Sequence, residues 1–219
     1  MDPKFFAIQT STDNSKIGKV YPQVDGMGNN YYLRKPNSVW EIKNYSPLDF
    51  LPDLDFFKIS NSAKLTDFIS TGLISASGFL VSDKVKRIFD QYTISKHCYY
   101  PARLKYKMDF YENYFWLHFI ENDDNAIDLP KSTFVLTDPL PFFRQEKEQF
   151  TFDNKEEAII VWKNNNTKSL FPSTLTLRVD NQDFFSFSFL YHHNYISSRL
   201  IEHLEKDKVS GFDILDPYL

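Results

Sequence analysis

The sequence predicts an α+β fold in which antiparallel-rich mixed sheets carry two main short helices, with two similar halves as an open alternative. Several short segments alternate apolar and polar residues with a period of two, as half-buried strands do. Two other segments, residues 83–92 and 197–207, repeat apolar residues at helical spacing. Aromatic residues make up 17% of the 219 residues, with 22 Phe and 13 Tyr, and they supply material for a large aromatic core.

Composition limits the class of protein. The chain has 25 basic and 29 acidic residues, a net charge of −4 and 42% hydrophobic residues, which is typical of a water-soluble globular domain. Its dispersed Lys and Arg argue against a nucleic-acid partner. No apolar run is long enough to span a bilayer, so no membrane partner is expected. Cys98 is the only cysteine, which excludes an intramolecular disulfide and favours the cytoplasm.

We expect a single domain over residues 1–219, with a β-rich N-terminal part at about 1–65, a core motif at about 65–136 and a second half at about 150–219. Residues 5–9 are predicted to form the first strand. A Gly- and Asn-containing segment at 25–30 predicts a loop, and residues 31–33 and 39–42 are short strand candidates. These first elements form either a β-rich lobe or a meander against the main sheet.

The middle of the chain predicts a helix followed by a hairpin. Val85, Ile88, Phe89 and Tyr92 share one helical face, and Ser82 stands at the N-cap position. Residues 102–108 alternate basic and apolar side chains, whereas residues 111–120 are apolar on both faces. The second segment therefore predicts a central strand paired with the first. A polar, acidic loop follows at residues 121–125.

Strands are predicted at 134–136 and 157–162, with a connection between them at 139–149. Residues 175–179 and 185–189 alternate in the manner of another hairpin. A helix over 197–207 follows, with Ser197 as its candidate cap, and Gly211 past its end can take the positive φ of a helix stop or of a turn. Residues 81–95 and 196–210 align without a gap, through matches such as Ser82 with Ser197. Duplication and convergence both explain this likeness.

No set of residues in the sequence predicts catalysis. None of the five histidines, which are His97, His118, His192, His193 and His203, has the spacing of a helical zinc site. Cys98 has no well-placed base and is expected to be a buried, inert thiol. We therefore expect no catalytic residues, no metal and no cofactor, and His118 is predicted to be structural.

Three motifs carry a family resemblance: residues 78–85 (GFLVSDKV), 99–104 (YYPARL) and 114–119 (YFWLHF). Together they resemble the bacterial polymorphic-toxin immunity proteins of immunity family eleven, over about residues 65–136. Residues 196–212 resemble that family's closing helix and turn. The resemblance implies a cytoplasmic, non-catalytic protein that binds and neutralises a cognate toxin, with Ser82, Trp116 and His118 as scaffold. The oligomeric state stays open.

The acidic loop is the candidate partner-binding site. We predict that Glu121, Asp123 and Asp124 face a basic toxin surface, where complementary charge raises the association rate and selectivity. Two other functions remain as alternatives. One is a structural or ligand-binding module of a bacterial surface or secretion system, and the other is a metal-dependent enzyme that uses His118 and His193.

Overall fold

The computed structural model describes residues 5–28, 35–137, 149–165, 168–178 and 181–215. Within them the fold is α+β, as the sequence predicts, with thirteen strands and four helices. The helices are α1 (Asn14–Ile17), α2 (Asp83–Phe89), α3 (Lys155–Lys163) and α4 (Ser198–Lys206). The strands are β1 (Phe5–Thr10), β2 (Val24–Met27), β3 (Asp55–Ile59), β4 (Phe68–Ile69), β5 (Gly78–Ser82), β6 (His97–Tyr106), β7 (Asp109–Phe119), β8 (Thr133–Thr137), β9 (Gln149–Phe150), β10 (Ser169–Thr174), β11 (Phe184–Ser186), β12 (Asn194–Ser197) and β13 (Phe212–Leu215).

The strands form three sheets. The largest has six strands in the order β2-β3-β6-β7-β5-β4, the second has the order β11-β12-β1-β13, and the third has the order β10-β8-β9. Every neighbouring pair is antiparallel except β3 and β6, which are parallel. This mixture confirms the predicted antiparallel-rich mixed sheets.

The predicted hairpin is the longest strand pair among the described residues. Strands β6 and β7 pair along their length, and Lys107 in the turn between them has a φ of 56°. Strand β7 also pairs with β5, so it is the central strand that its two apolar faces predict. Trp116 packs in the cluster on one face of the sheet, and Leu117 packs in the cluster on the other.

Both predicted helices are present, but their caps differ. Ser197 caps α4, because its hydroxyl accepts a hydrogen bond from the Leu200 amide at 3.3 Å. Ser82 stands before α2 but makes no such bond; its hydroxyl donates instead to Asp67 Oδ1 at 2.8 Å. Helix α4 ends at Lys206, and the left-handed residue after it is Lys208, with a φ of 53°. Gly211, with a φ of 88°, lies directly before β13 and so takes the turn alternative rather than the helix stop.

The strand predicted over residues 157–162 is wrong, because this segment forms helix α3. The Asn154 side chain accepts a hydrogen bond from the Glu157 amide at 2.9 Å, and the Glu157 carboxylate accepts one from the Asp153 amide at 3.0 Å. This reciprocal capping satisfies the Glu157 amide in the first turn and the Asp153 amide just before the helix. It outweighs the strand preference of the apolar run from Ile159 to Val161.

Other predictions fail where pairing is non-local. The predicted hairpin of 175–179 with 185–189 is wrong: β11 pairs with β12, and Leu177 makes an isolated bridge with Ile127. Residues 39–41 form a 3₁₀ turn rather than a strand, because the Ser38 hydroxyl caps it by accepting from the Trp40 amide. The predicted loop at 25–30 begins inside strand β2. The candidate strand at 31–33, and the connection up to residue 148, lie outside the described residues.

Two halves of the molecule share one topology. The order β4-β5-β7-β6 recurs as β11-β12-β1-β13 with every pair antiparallel, and β5 leads into α2 as β12 leads into α4. The registers also agree: Ser82 lies opposite Tyr114 in one half, and Ser197 lies opposite Phe5 in the other. The N-terminal strand β1 thus takes the place of β7 in the second half. A duplication predicts such agreement in register.

The aromatic core joins these halves. Rings of Phe68 and Phe184, which occupy equivalent positions in β4 and β11, both lie against Phe89 of α2, with centroids 6.2 and 5.7 Å away. Asp67 and Asp183 precede these rings, and each accepts a hydrogen bond at 2.8 Å from the serine before the helix of its half. The two halves therefore use the same polar contact at the start of each helix.

Candidate functional site

The acidic loop that the sequence singles out is anchored inside the molecule. The Asp124 side chain is fully buried, and its carboxylate accepts hydrogen bonds from the amide and hydroxyl of Ser188 at 2.7 and 2.5 Å. The Lys155 ammonium, at the start of α3, lies 2.5 Å from the same carboxylate. The group thus ties three segments together, and it has no free oxygen surface for a partner.

Asp123 is used in a similar way. Its carboxylate accepts hydrogen bonds from the Ser186 amide at 2.7 Å, from Gln182 Nε2 at 3.1 Å and from the Ser95 hydroxyl. Burial raises the pKa of Asp123, and these hydrogen bonds oppose that rise. The predicted partner contacts of Asp123 and Asp124 are corrected accordingly: both carboxylates bind the protein's own backbone and side chains.

Glu121 alone of the three faces solvent. Its side chain is 60% exposed and forms an ion pair with Lys96, which is also exposed. Such a pair exchanges readily with water and contributes little to stability. A partner contact at Glu121 therefore stays a prediction.

The histidines serve separate local roles. His118 is buried in β7, and its Nε2 lies 3.0 Å from the Ser46 carbonyl, where the neutral ring donates a hydrogen bond. Burial lowers the pKa of His118, so the neutral ring is favoured. His193 Nδ1 lies 3.1 Å from the Phe187 carbonyl. Cys98 is half-buried rather than buried. In the described part of the chain, no three His, Cys, Asp or Glu side chains are grouped so that they could hold a metal ion.

The structure presents a different surface, which we call the aromatic–cationic face: Phe56, Lys58, Arg103, Lys105 and Phe110. It lies on strands β3, β6 and β7 of the six-stranded sheet. The rings of Phe56 and Phe110 meet edge to face at 5.0 Å between centroids and 84° between planes. The Arg103 guanidinium lies 4.6 Å from the Phe110 centroid, and the Lys105 ammonium lies 5.4 Å from it. These distances allow cation–π attraction.

Strand alternation places these side chains together. Leu104 points into the core and is fully buried, so Arg103 and Lys105 on either side of it point outward. Phe110 pairs with Lys105 across the hairpin, and the parallel neighbour β3 brings Lys58 into register with Lys105. The Phe56 ring lies over Gly28, where an added Cβ would stand 2.0 Å from a ring carbon. A side chain at position 28 would therefore force the Phe56 ring to move.

The exposed face is one end of a sheet surface whose other end is covered. Helix α2 packs on β5 and β7 there. The Lys86 ammonium of α2 lies 5.0 Å from the Tyr99 ring and 6.0 Å from the Phe115 ring, and so marks the edge of the covered part. Beyond that edge Phe110 is 47% exposed.

An apolar groove adjoins the aromatic–cationic face. Its volume is about 560 Å³, and Leu51, which is 70% exposed, forms one wall beside Pro52. Arg103 forms another wall and belongs to both features. Its guanidinium is held by Asp55 through two hydrogen bonds of 2.6 and 3.0 Å. This bidentate pair fixes the wall and compensates the charge of Arg103.

The three cations of the face differ in their ion pairs: Arg103 is paired with Asp55, whereas the two lysines have no carboxylate partner among the described residues. Lys58 and Lys105 stand in register on neighbouring strands, although like charges in that position repel. Among the described residues, no carboxylate lies within 4.0 Å of either ammonium. The face thus carries two uncompensated cations beside two aromatic rings.

Sequence reasoning missed this surface for a definite reason. The alternation of Arg103, Lys105 and Lys107 with apolar residues is typical of a strand with one solvent-exposed face, and the sequence places Phe110 near a turn. The pairing of β3 with β6 joins segments far apart in the chain, so Phe56 and Lys58 had no visible link to the hairpin. An exposed aromatic next to alternating cations was the available signal.

Comparison with known proteins adds no relative: no protein-family model matches the chain, and no curated protein matches it. The resemblance to immunity family eleven therefore rests on the sequence motifs alone. Within the described residues, none of the helices combines the length and the apolar character that crossing a membrane requires.

Proposed function

We propose that this chain is a cytoplasmic immunity protein that binds a cognate bacterial toxin and neutralises it, with no catalysis of its own. The resemblance to immunity family eleven supports the proposal. The observation that carries it is the exposed surface formed by the aromatic–cationic face and its groove. A surface of this kind is typical of a docking site for another macromolecule.

The composition of this surface fits a protein partner. Aromatic residues, Met and Arg are enriched in the centres of protein–protein interfaces, and a few of them dominate the binding energy. Phe110 and Arg103 combine two of these residue types in direct contact, beside the exposed Leu51. A single exposed apolar side chain is ordinary, whereas this set is continuous through Arg103.

The surface is also rigid, which favours tight inhibition. Arg103 is held by Asp55, Phe56 lies against Gly28, and the backbone beneath them belongs to paired strands. Side chains that are already fixed lose little conformational entropy on binding. An immunity protein needs this property, because it must occupy its toxin at low concentrations of both proteins.

Co-expression tests the proposal. The reading frames next to the gene for this chain are expressed from an inducible promoter, with and without this chain. We expect one of them to arrest growth alone, this chain to restore growth, and the two proteins to co-purify as a stoichiometric complex. An unrelated immunity protein in place of this chain is the control and should not restore growth. If no neighbouring product is toxic, or if a toxic one is neither bound nor neutralised, the proposal is contradicted.

A further inference from the structure

We infer that the aromatic–cationic face and its groove recognise an acidic, apolar segment of a partner protein. A large apolar side chain enters the groove beside Leu51, and a carboxylate of the same segment binds between Lys58 and Lys105. The inference rests on the proposed function, because it describes how the proposed partner is recognised.

The lysine pair argues for the carboxylate. Lys58 and Lys105 repel each other across neighbouring strands, and no carboxylate of the described residues compensates either one. The Lys105 ammonium is held 5.7 Å from the Phe56 centroid and 5.4 Å from the Phe110 centroid. A partner carboxylate at this place would remove the repulsion and gain two charge-assisted hydrogen bonds.

The groove argues for the apolar side chain. Its apolar walls are Leu51, Pro52, Leu54, Pro101 and Ala102, and its volume of about 560 Å³ is large enough for an aromatic or branched side chain. The rest of the lining is polar and includes the carboxylates of Asp53, Asp55 and Glu112, so the acidic side chain of the segment binds outside the groove, at the lysine pair. Arg103 adds a flat wall whose charge is already matched by Asp55. The groove and the lysine pair flank Arg103, so one short segment can reach both.

Nucleic acid is the competing occupant, and the geometry disfavours it. Bases stack on aromatic faces presented to solvent, but the Phe56 and Phe110 rings are nearly perpendicular, and cations already lie over them. Asp55 and Glu112 stand beside Arg103 on the same surface, with side chains 46% and 78% exposed. These carboxylates repel any anion, so a single acidic side chain placed at the lysine pair is favoured over a chain of phosphates.

Peptide selection tests the inference with the intact chain. A random dodecapeptide library displayed on phage is selected against the wild-type protein, and the enriched peptides are synthesised for affinity measurement. We expect them to combine Asp or Glu with an aromatic residue or Leu. Lys58→Glu with Lys105→Glu should weaken their binding by about tenfold or more, because opposite charges become like charges. Phe110→Ala should weaken it as well.

The matched control reverses the same number of charges elsewhere. Lys163→Glu with Lys206→Glu changes two exposed lysines at the ends of α3 and α4, and it should leave the affinity within about twofold. Lys58→Gln with Lys105→Gln serves as a milder variant if the reversed pair does not fold, and its loss of binding should be smaller but in the same direction.

Three results would overturn the inference: selection that yields no peptide or peptides without acidic residues, equal binding by the lysine variants, or tighter binding of a twelve-residue oligothymidylate than of the selected peptides. These results are independent of growth rescue. Failure of the wild-type chain to neutralise any neighbouring toxin contradicts the proposed function, whereas unaltered peptide binding by the variants contradicts the inference alone.

Discussion

Replacing Asp124 by Ala should destabilise the protein severely, although this residue lies in a polar loop. The substitution leaves the Ser188 amide and hydroxyl and the Lys155 ammonium without their shared acceptor. Removing one partner of a buried ion pair costs about 3–5 kcal/mol. The Lys155 side chain is 32% exposed and regains water, so we expect a loss of about 3 kcal/mol in the free energy of unfolding.

Urea denaturation followed by circular dichroism measures this loss. For a chain of this size, about 3 kcal/mol corresponds to a fall of about 9 °C in Tm. Asp124→Asn keeps one acceptor and should lose about half as much. Glu121→Ala, three residues earlier and exposed, is the control and should change stability by less than about 0.5 kcal/mol. Equal stabilities of Asp124→Ala and Glu121→Ala would refute the internal role of Asp124.

Two further predictions concern pH and the internal symmetry. Burial lowers the pKa of His118 below its ordinary 6.5. As the pH falls below 6.5, His118 therefore becomes protonated in the unfolded chain while it stays neutral in the folded chain. The free energy of unfolding should therefore decrease from pH 7.5 to pH 5, and His118→Gln should flatten this slope in urea titrations; an unaltered slope would contradict the assignment. Asp67→Ala and Asp183→Ala should each destabilise the protein, by about 2–3 kcal/mol for the more buried Asp183 and less for Asp67. Thermal unfolding measures both, and a neutral Asp183→Ala would count against the shared polar contact.

Sequence patterns predict the elements that are stabilised by interactions between residues close together in the chain. The hairpin β6–β7 follows from alternation and from a second segment apolar on both faces, and α4 follows from its apolar spacing and its Ser197 cap. Helix α3 was also readable, because Asn154 and Glu157 have the spacing of a capping box. The apolar run after it, from Ile159 to Val161, concealed that signal.

Non-local pairing explains most of the rest. The alignment of residues 81–95 with 196–210 pointed to two similar halves, but the role of β1 depends on the N-terminal strand pairing with β12 and β13. Nothing near β1 in the sequence indicates these partners. The same limit applies to β3, whose parallel pairing with β6 builds the aromatic–cationic face.

The candidate site shows why exposure cannot be judged from polarity. The sequence predicts a solvated acidic loop. In the structure, however, the Ser186 amide of β11 donates a hydrogen bond to Asp123, and the Ser188 amide donates one to Asp124. Phe110 reads as a turn residue with an apolar side chain, yet it is nearly half exposed. Tertiary contacts invert both expectations, because the two carboxylates satisfy backbone amides, whereas the Phe110 ring packs at the surface against Phe56 and two cations.

Hydrogen–deuterium exchange on the complex tests the central claim most directly, since it reports where the partner binds. The chain is compared alone and with the toxin domain that it neutralises in co-expression. We expect slower exchange of backbone amides in residues 51–58 and 101–112, which carry the groove and the aromatic–cationic face, with little change in residues 121–125. Protection confined to residues 121–125, or to segments remote from Phe110, would contradict the account.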